Sequence, residues 1–151
     1  GCPGSKMQDF REKGAKGDES GKRASELRQW PIQLHLVSPM APYYQKADVL
    51  LSADCIAYTA GDFHKDYLKG KSIAIACPKL DEGQDEYVEK IKSLIDDAKI
   101  NTLTVMIMQV PCCGGLVAMA EQALQQAKRK IPVKSIVLSL QCDVLSEEWV
   151  S

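Results

Sequence analysis

The six cysteines are the residues of this chain best equipped for chemistry. Cys2 sits in an opening Gly1-Cys2-Pro3-Gly4 string, and Cys55, Cys77, Cys112, Cys113 and Cys142 follow far apart. Thiolates are soft ligands that suit iron–sulfur clusters, zinc or Cu(I), and they are also nucleophiles and redox couples. The chain has no C-x2-C pair of the kind structural zinc favours. Pro111-Cys112-Cys113-Gly114-Gly115 reads as a tight turn running into a helix. Its glycines let backbone approach a bulky group, and free N–H groups at a helix start stabilise thiolate charge. Cys77 is followed by Pro78, a pairing common at cluster ligands. A vicinal Cys112–Cys113 disulfide would need unusual backbone geometry. An iron–sulfur cluster, a structural zinc, and redox-active or merely structural thiols all remain open, and the spacing favours the cluster.

Residues 1–29 read as a flexible linker, mobile or lying along the domain or a partner chain, and residues 30–151 as one cysteine-rich α/β domain. Five of the ten glycines fall between Gly1 and Gly21, mixed with Lys, Arg, Asp and Glu and with few apolar residues to offset ordering entropy. From Trp30 onward strand and helix patterns alternate. Ile32–Ser38, Asp48–Asp54, Ser72–Cys77, Thr102–Val110 and Ser135–Leu140 are predicted strands. Gln84–Ala98 and Gly115–Lys130 are predicted helices, the first with Tyr87, Val88, Ile91, Leu94, Ile95 and Ala98 at helical spacing. Tyr43–Ala47 and Phe63–Lys69 are predicted as short turns of helix. Several strands are continuous apolar runs, the mark of a parallel sheet covered on both faces. The predicted fold is a Rossmann-like or flavodoxin-like three-layer α/β sandwich with a mainly parallel sheet of about five strands.

Open parallel sheets build their sites at the carboxyl ends of the strands. Cys55 follows the second predicted strand, Cys77 closes the third, Cys112 and Cys113 follow the fourth, and Cys142 follows the fifth. Five cysteines therefore converge on one edge, where a thiol serving only as a small core hydrophobe would not gather.

The remaining composition narrows the function classes. Hydrophobic residues are 45% and charged residues 26%, which suffices for an ordinary core. The net charge of −1 gives no electrostatic reason for nucleic acid or an anionic membrane as partner. No apolar run spans a bilayer and no secretory signal opens the chain. The chain starts without an initiator Met and reads as a fragment or a processed protein. Clustered cysteines without an export signal point to a reducing, cytoplasmic setting. No G-x-G-x-x-G or Walker run marks a nucleotide site.

The strings Trp30-Pro31-Ile32-Gln33-Leu34, Ala53-Asp54-Cys55, Gly61-Asp62-Phe63-His64, Ala76-Cys77-Pro78-Lys79-Leu80-Asp81 and Val110-Pro111-Cys112-Cys113-Gly114-Gly115 resemble a family of 4Fe-4S ferredoxin-type iron–sulfur proteins of anaerobic bacteria. In that family a ferredoxin module comes first, and a Gly-Cys-Pro-Gly-Ser linker leads into a domain similar to this one. The resemblance runs from Gly1 to Trp149 and implies a [4Fe–4S] cluster with Cys55, Cys77, Cys112 and Cys113 as ligands. It implies electron transfer with an upstream ferredoxin-like domain or another redox protein as partner. Two departures stand out. The ferredoxin module is not in this chain, and Cys142 occupies a position where Gly is usual after Ser-Leu-Gln. A weaker resemblance, Cys77-x34-Cys112-Cys113-Gly114, is similar to the opening of the cysteine-rich module of heterodisulfide-reductase subunits, without that module's later C-x2-C pair.

Other residues carry both a chemical and a plain reading. His64 is placed to reach the site edge as ligand or proton donor, or to lie on a helix surface. His35 alternates within an apolar strand and reads as a hydrogen-bonded core or face histidine in preference to a ligand. Asp54 and Asp81 are placed to tune a cluster through charge, or to cap turns. Lys79 is placed to offset the charge of a thiolate-bound cluster, or to be solvated. Met106 and Met108 read as core, and Trp30 and Trp149 as packing at the domain margins. Beside electron transfer, a cluster-dependent reductase of a small substrate and a zinc-binding or metal-free interaction module stay open.

Overall fold

A computed structural model describes residues 6–11, 22–110 and 114–150. Seven strands and three α-helices occur among the described residues. They are β1 (Gln8–Asp9), β2 (Gln29–Trp30), β3 (Asp48–Ala53), α1 (Ile56–Thr59), β4 (Ser72–Ala76), α2 (Gln84–Asp96), β5 (Thr102–Met108), α3 (Gly114–Gln126), β6 (Val133–Leu138) and β7 (Val144–Trp149). A 3-10 turn covers Pro42–Tyr44 and a π-helical turn covers His64–Leu68. The main sheet has the order β4-β3-β5-β6-β7. Its first four members are mutually parallel, and β7 returns antiparallel to β6. The result is the three-layer α/β sandwich with a mainly parallel five-stranded sheet that the sequence pattern predicts.

Apolar continuity explains the central strands. Val49, Leu50, Leu51 and Ala53 of β3 are all buried, as are Ile73, Ala74 and Ala76 of β4 and Val105, Met106, Ile107 and Met108 of β5. Only a strand covered on both faces tolerates such a run. Helix α2 turns Tyr87, Val88, Ile91, Leu94 and Ile95 inward and carries Asp85 and Glu86 in its first turn, where the helix dipole favours negative charge. It ends at Asp96 rather than Ala98, because the Ala98 N–H reaches back five residues to the Ser93 carbonyl and Lys99 turns left-handed at φ 55°. Helix α3 packs against α2 and β5. Its last turn is finished by the Lys130 ammonium, which donates to the Ala127 carbonyl at 3.1 Å.

One sequence expectation is corrected. Ile32–Ser38 is not a strand: Gln33 alone makes a parallel bridge, to Ile75. The N–H groups of Leu36 and Val37 both donate to the Gln33 carbonyl, and the Lys90 ammonium donates to the carbonyls of Leu34, His35 and Val37 at 2.9, 2.7 and 3.0 Å. Those carbonyls are thereby spent on a turn and not on a ladder. Strand β7 was not expected, since its residues are mostly exposed and include Glu147 and Glu148. The described part of the leading segment lies against the domain. β1 pairs with β2, and Gln29 is wholly buried.

Candidate metal centre at the carboxyl edge of the sheet

The strand order sets β3 between β4 and β5, so the loops leaving these three strands start side by side. Ala53 is in register with Ala76, and Ser52 with Met106. Past the last ladder pair, the Asp54 N–H donates to the Ala76 carbonyl at 3.2 Å. That bond ties the chain together one residue before Cys55 on one side and one residue before Cys77 on the other. The third loop, after β5, carries Cys112 and Cys113, which lie outside the described residues, as does Cys2. Its far end is in view: a Cβ on Gly115 would stand 3.2 Å from the Pro78 Cβ, so the start of α3 lies against the Cys77 loop. A side chain at Gly115 would crowd Pro78 and require it to shift by a few tenths of an ångström.

Cys55 is exposed, stands at the N-cap of α1, and accepts the Thr59 hydroxyl on its carbonyl at 3.0 Å. Cys77 is half-buried and held on every side by its own loop. Its N–H donates to Asp81 Oδ2 at 2.9 Å, its carbonyl accepts the Asp81 N–H at 2.9 Å, and its Sγ accepts the Leu80 N–H at 3.4 Å. Asp81 Oδ2 also accepts Gln33 Nε2 at 3.0 Å and the Tyr87 hydroxyl. Burial, and then the bond to Asp81, push the Tyr87 hydroxyl far above its ordinary range. Burial raises the Asp54 carboxyl above the usual carboxylate range, and the charge of Asp81 adds to it. Asp54 Oδ1 is buried with no hydrogen-bond partner among the described residues.

Cys55, Cys77 and Cys142 are free thiols. Cys142 leaves β6 at the same edge, in a turn where it adopts φ 69° and donates its N–H to Ser139 at 2.9 Å. That left-handed backbone is where glycine is favoured. Among the described residues no group of three or more His, Cys, Asp or Glu side chains is placed to hold a metal ion. The donor set that the sequence nominates is completed only by Cys112 and Cys113. Its chemistry, thiols on three neighbouring loops with a backbone N–H already directed at one sulfur, fits a soft iron–sulfur group.

The other nominated residues divide. His64 Nδ1 accepts the Glu26 N–H at 3.0 Å, which leaves the ring proton on Nε2. The ring lines a cleft of about 390 Å³ together with Arg23, Ser25, Ala57, Asp62 and Lys65, and no cysteine among the described residues lines it. His35 stacks on Tyr87 at 4.2 Å and bonds the Glu82 carbonyl through Nε2, as a face histidine. Lys79 is exposed, and Met106 and Met108 are core. Trp149 is exposed at 63%, beneath the Lys134 ammonium at 4.9 Å. Sequence reasoning missed Gln33 and Tyr87, which hold the Asp81 carboxylate that bonds Cys77. Tyr87 was legible only as a core position on α2.

A Rossmann-like domain model matches residues 41–151, and the chain belongs to that family. An uncharacterized protein of Archaeoglobus fulgidus is 33% identical over 103 residues, a stretch that covers 67% of this chain and 70% of that protein. No solved structure matches the chain. Among the described residues no helix is long and apolar enough to cross a membrane.

Proposed function

We propose that this chain is an iron–sulfur electron-transfer domain of a reducing, cytoplasmic compartment, with a [4Fe–4S] cluster held by Cys55, Cys77, Cys112 and Cys113. One observation carries the reading: β4, β3 and β5 are neighbours, so the loops that bear all four thiols leave a single edge of the sheet. The resemblance to ferredoxin-type iron–sulfur proteins points the same way. Once bound, such a cluster accepts and releases single electrons. The chain's own part is to hold the sulfurs, limit water and set the local charge and hydrogen bonding. The partner is a redox protein or a ferredoxin-like domain.

Anaerobic purification or reconstitution, with iron and acid-labile sulfide assayed beside a visible spectrum, tests this. About four iron and four sulfide per chain are expected, with large losses in Cys55→Ser and Cys77→Ser. A protein that stays colourless and iron-free after reconstitution overturns the reading. Stoichiometric zinc in its place would favour a metal-stabilised interaction module.

A cluster-dependent reductase is the second reading, and the cleft beside α1 favours it, since Cys55 is the N-cap of α1 and Ala57 of that helix lines the cleft. A change in the visible spectrum on adding small candidate substrates, lost on filling the cleft with Ala57→Phe, would support it.

A further inference from the structure

We infer that Asp81 is the positioning residue of this centre: it closes the loop Cys77-Pro78-Lys79-Leu80-Asp81 so that the Leu80 N–H points at the Cys77 sulfur. The inference rests on the cluster reading for its redox consequence but not for its geometry. The loop is closed twice between the same two residues. The Cys77 N–H donates to Asp81 Oδ2 and the Asp81 N–H donates to the Cys77 carbonyl, each at 2.9 Å. A reciprocal pair of this kind fixes both ends of a five-residue turn. The Leu80 N–H, one residue before the closure, then has Cys77 Sγ as its acceptor at 3.4 Å.

Asp81 is itself locked from outside the loop. Gln33 Nε2 donates to Oδ2 at 3.0 Å from the turn beside β4, and the Tyr87 hydroxyl donates to it from α2. Gln33 Nε2 also meets the Tyr87 hydroxyl oxygen at 3.1 Å. Tyr87 is fully buried, and its ring carries His35 at 4.2 Å. The carboxylate is thus the point at which a core helix and an edge turn grip the cysteine loop. Leu80, by contrast, is 79% exposed and its side chain has no part in the grip. Its backbone N–H is the functional group. An N–H directed at a ligating sulfur withdraws charge from it and favours the reduced state of a bound cluster. Ligand-orienting partners of this type carry a large share of a site's affinity.

The test compares Asp81→Ala, Asp81→Asn and the wild type in two states of the full chain. In the metal-free protein, amide hydrogen exchange is read at Cys77 and Leu80. Asp81→Ala is expected to raise exchange at both amides about tenfold, the loss of one hydrogen bond to a charged acceptor. Asp81→Asn, which keeps an oxygen for the Cys77 N–H, is expected to stay within about threefold of wild type. In the reconstituted protein both variants have lost the same charge, so the potential of Asp81→Ala should fall below that of Asp81→Asn. Wild-type exchange at both amides in Asp81→Ala overturns the inference, as do equal potentials for the two variants. If the wild type takes up no iron, the cluster reading fails and the exchange arm still decides the role of Asp81. If Asp81→Ala does not fold, Tyr87→Phe removes only the hydroxyl that holds the carboxylate. Faster exchange at Cys77 and Leu80 then supports the inference, and unchanged exchange overturns it.

Discussion

The two ends of β4 solve the same problem with different materials. Both ends bond side chains to strand backbone. At the start of the strand, Gln29 Oε1 accepts the Ile73 N–H at 2.7 Å and its Nε2 donates to the Ile73 carbonyl at 2.8 Å, so one amide side chain imitates a neighbouring strand. Gln29 Nε2 also meets the Tyr44 hydroxyl at 2.8 Å, that hydroxyl donates to the Ile73 carbonyl at 2.8 Å, and Ser72 donates to the Tyr43 carbonyl. Gln29, Ser72, Tyr43 and Tyr44 are all buried. Every group there is neutral. At the other end the acceptor is a half-buried carboxylate, a second carboxyl is raised by burial beside it, and a thiol is left free. A neutral buried network returns its bonds as stability. Charge and thiol at a half-buried strand end are a poor way to stabilise a fold and a good way to hold a reactive group.

Gln29→Ala would break this comparison most forcefully. It leaves the Ile73 N–H buried without its partner and opens space beside Tyr44. A loss of about 2–4 kcal/mol is expected, read as a lower urea midpoint at unchanged m-value. Iron bound per folded chain should not change. A variant with wild-type stability, or one that folds normally and loses iron, would show that the two ends of β4 do not divide the labour in this way.

The same contrast explains what the sequence made legible. The central strands announced themselves because β3, β4 and β5 are apolar on both faces, and their ends located four of the five cysteines of the domain on neighbouring loops. The amide of Gln29 carried no such signal. It stands at the end of a polar stretch, and contacts with Tyr44 and with Ile73, forty-four residues on, make it part of the core. Ile32–Ser38 misled for a related reason: its alternation imitates a strand, while the cation that bonds three of its carbonyls is Lys90, more than fifty residues away. Strand β7 was hidden by its exposure, since pairing with β6 demands no apolar pattern from an edge strand. Gln33 and Tyr87 were hidden because second partners of a site are defined by distance in space and leave no spacing in the chain.

Cys142→Gly sharpens the comparison by asking which thiols of the carboxyl edge are there for chemistry. Its backbone holds φ 69°, a conformation that costs an L-residue roughly 1 kcal/mol more than glycine, and its side chain packs only at the margin of the core. Glycine is therefore expected to stabilise the chain by about 0.5 kcal/mol, net of its greater entropy when unfolded. Iron content should be retained. Loss of iron on a par with Cys77→Ser would instead make Cys142 a ligand, and the edge would then hold its group with a different set of four.

The smallest effect concerns a carboxylate that serves neither end of β4. Asp96, at the last turn of α2, accepts the N–H groups of Lys128 at 2.9 Å and Arg129 at 3.0 Å, and pins the segment after α3. The Arg129 N–H, first among its causes, holds this carboxyl below the usual carboxylate range. The sign follows from that depression. The folded chain binds a proton less readily than the unfolded one, so the contribution is complete above the unfolded carboxyl range near pH 4 and disappears as pH falls through the lower folded value. Asp96→Asn should cost a fraction of a kcal/mol at pH 7, because the site is open to solvent. The gap from wild type should close progressively below about pH 4. Asp54, whose carboxyl is displaced in the opposite direction, lends no stability of this kind at neutral pH. Denaturant midpoints of the wild type and Asp96→Asn across pH 2–7, taken on metal-free protein, check the assignment. A gap that stays constant over that range would mean that Asp96 acts through packing and not through its charge.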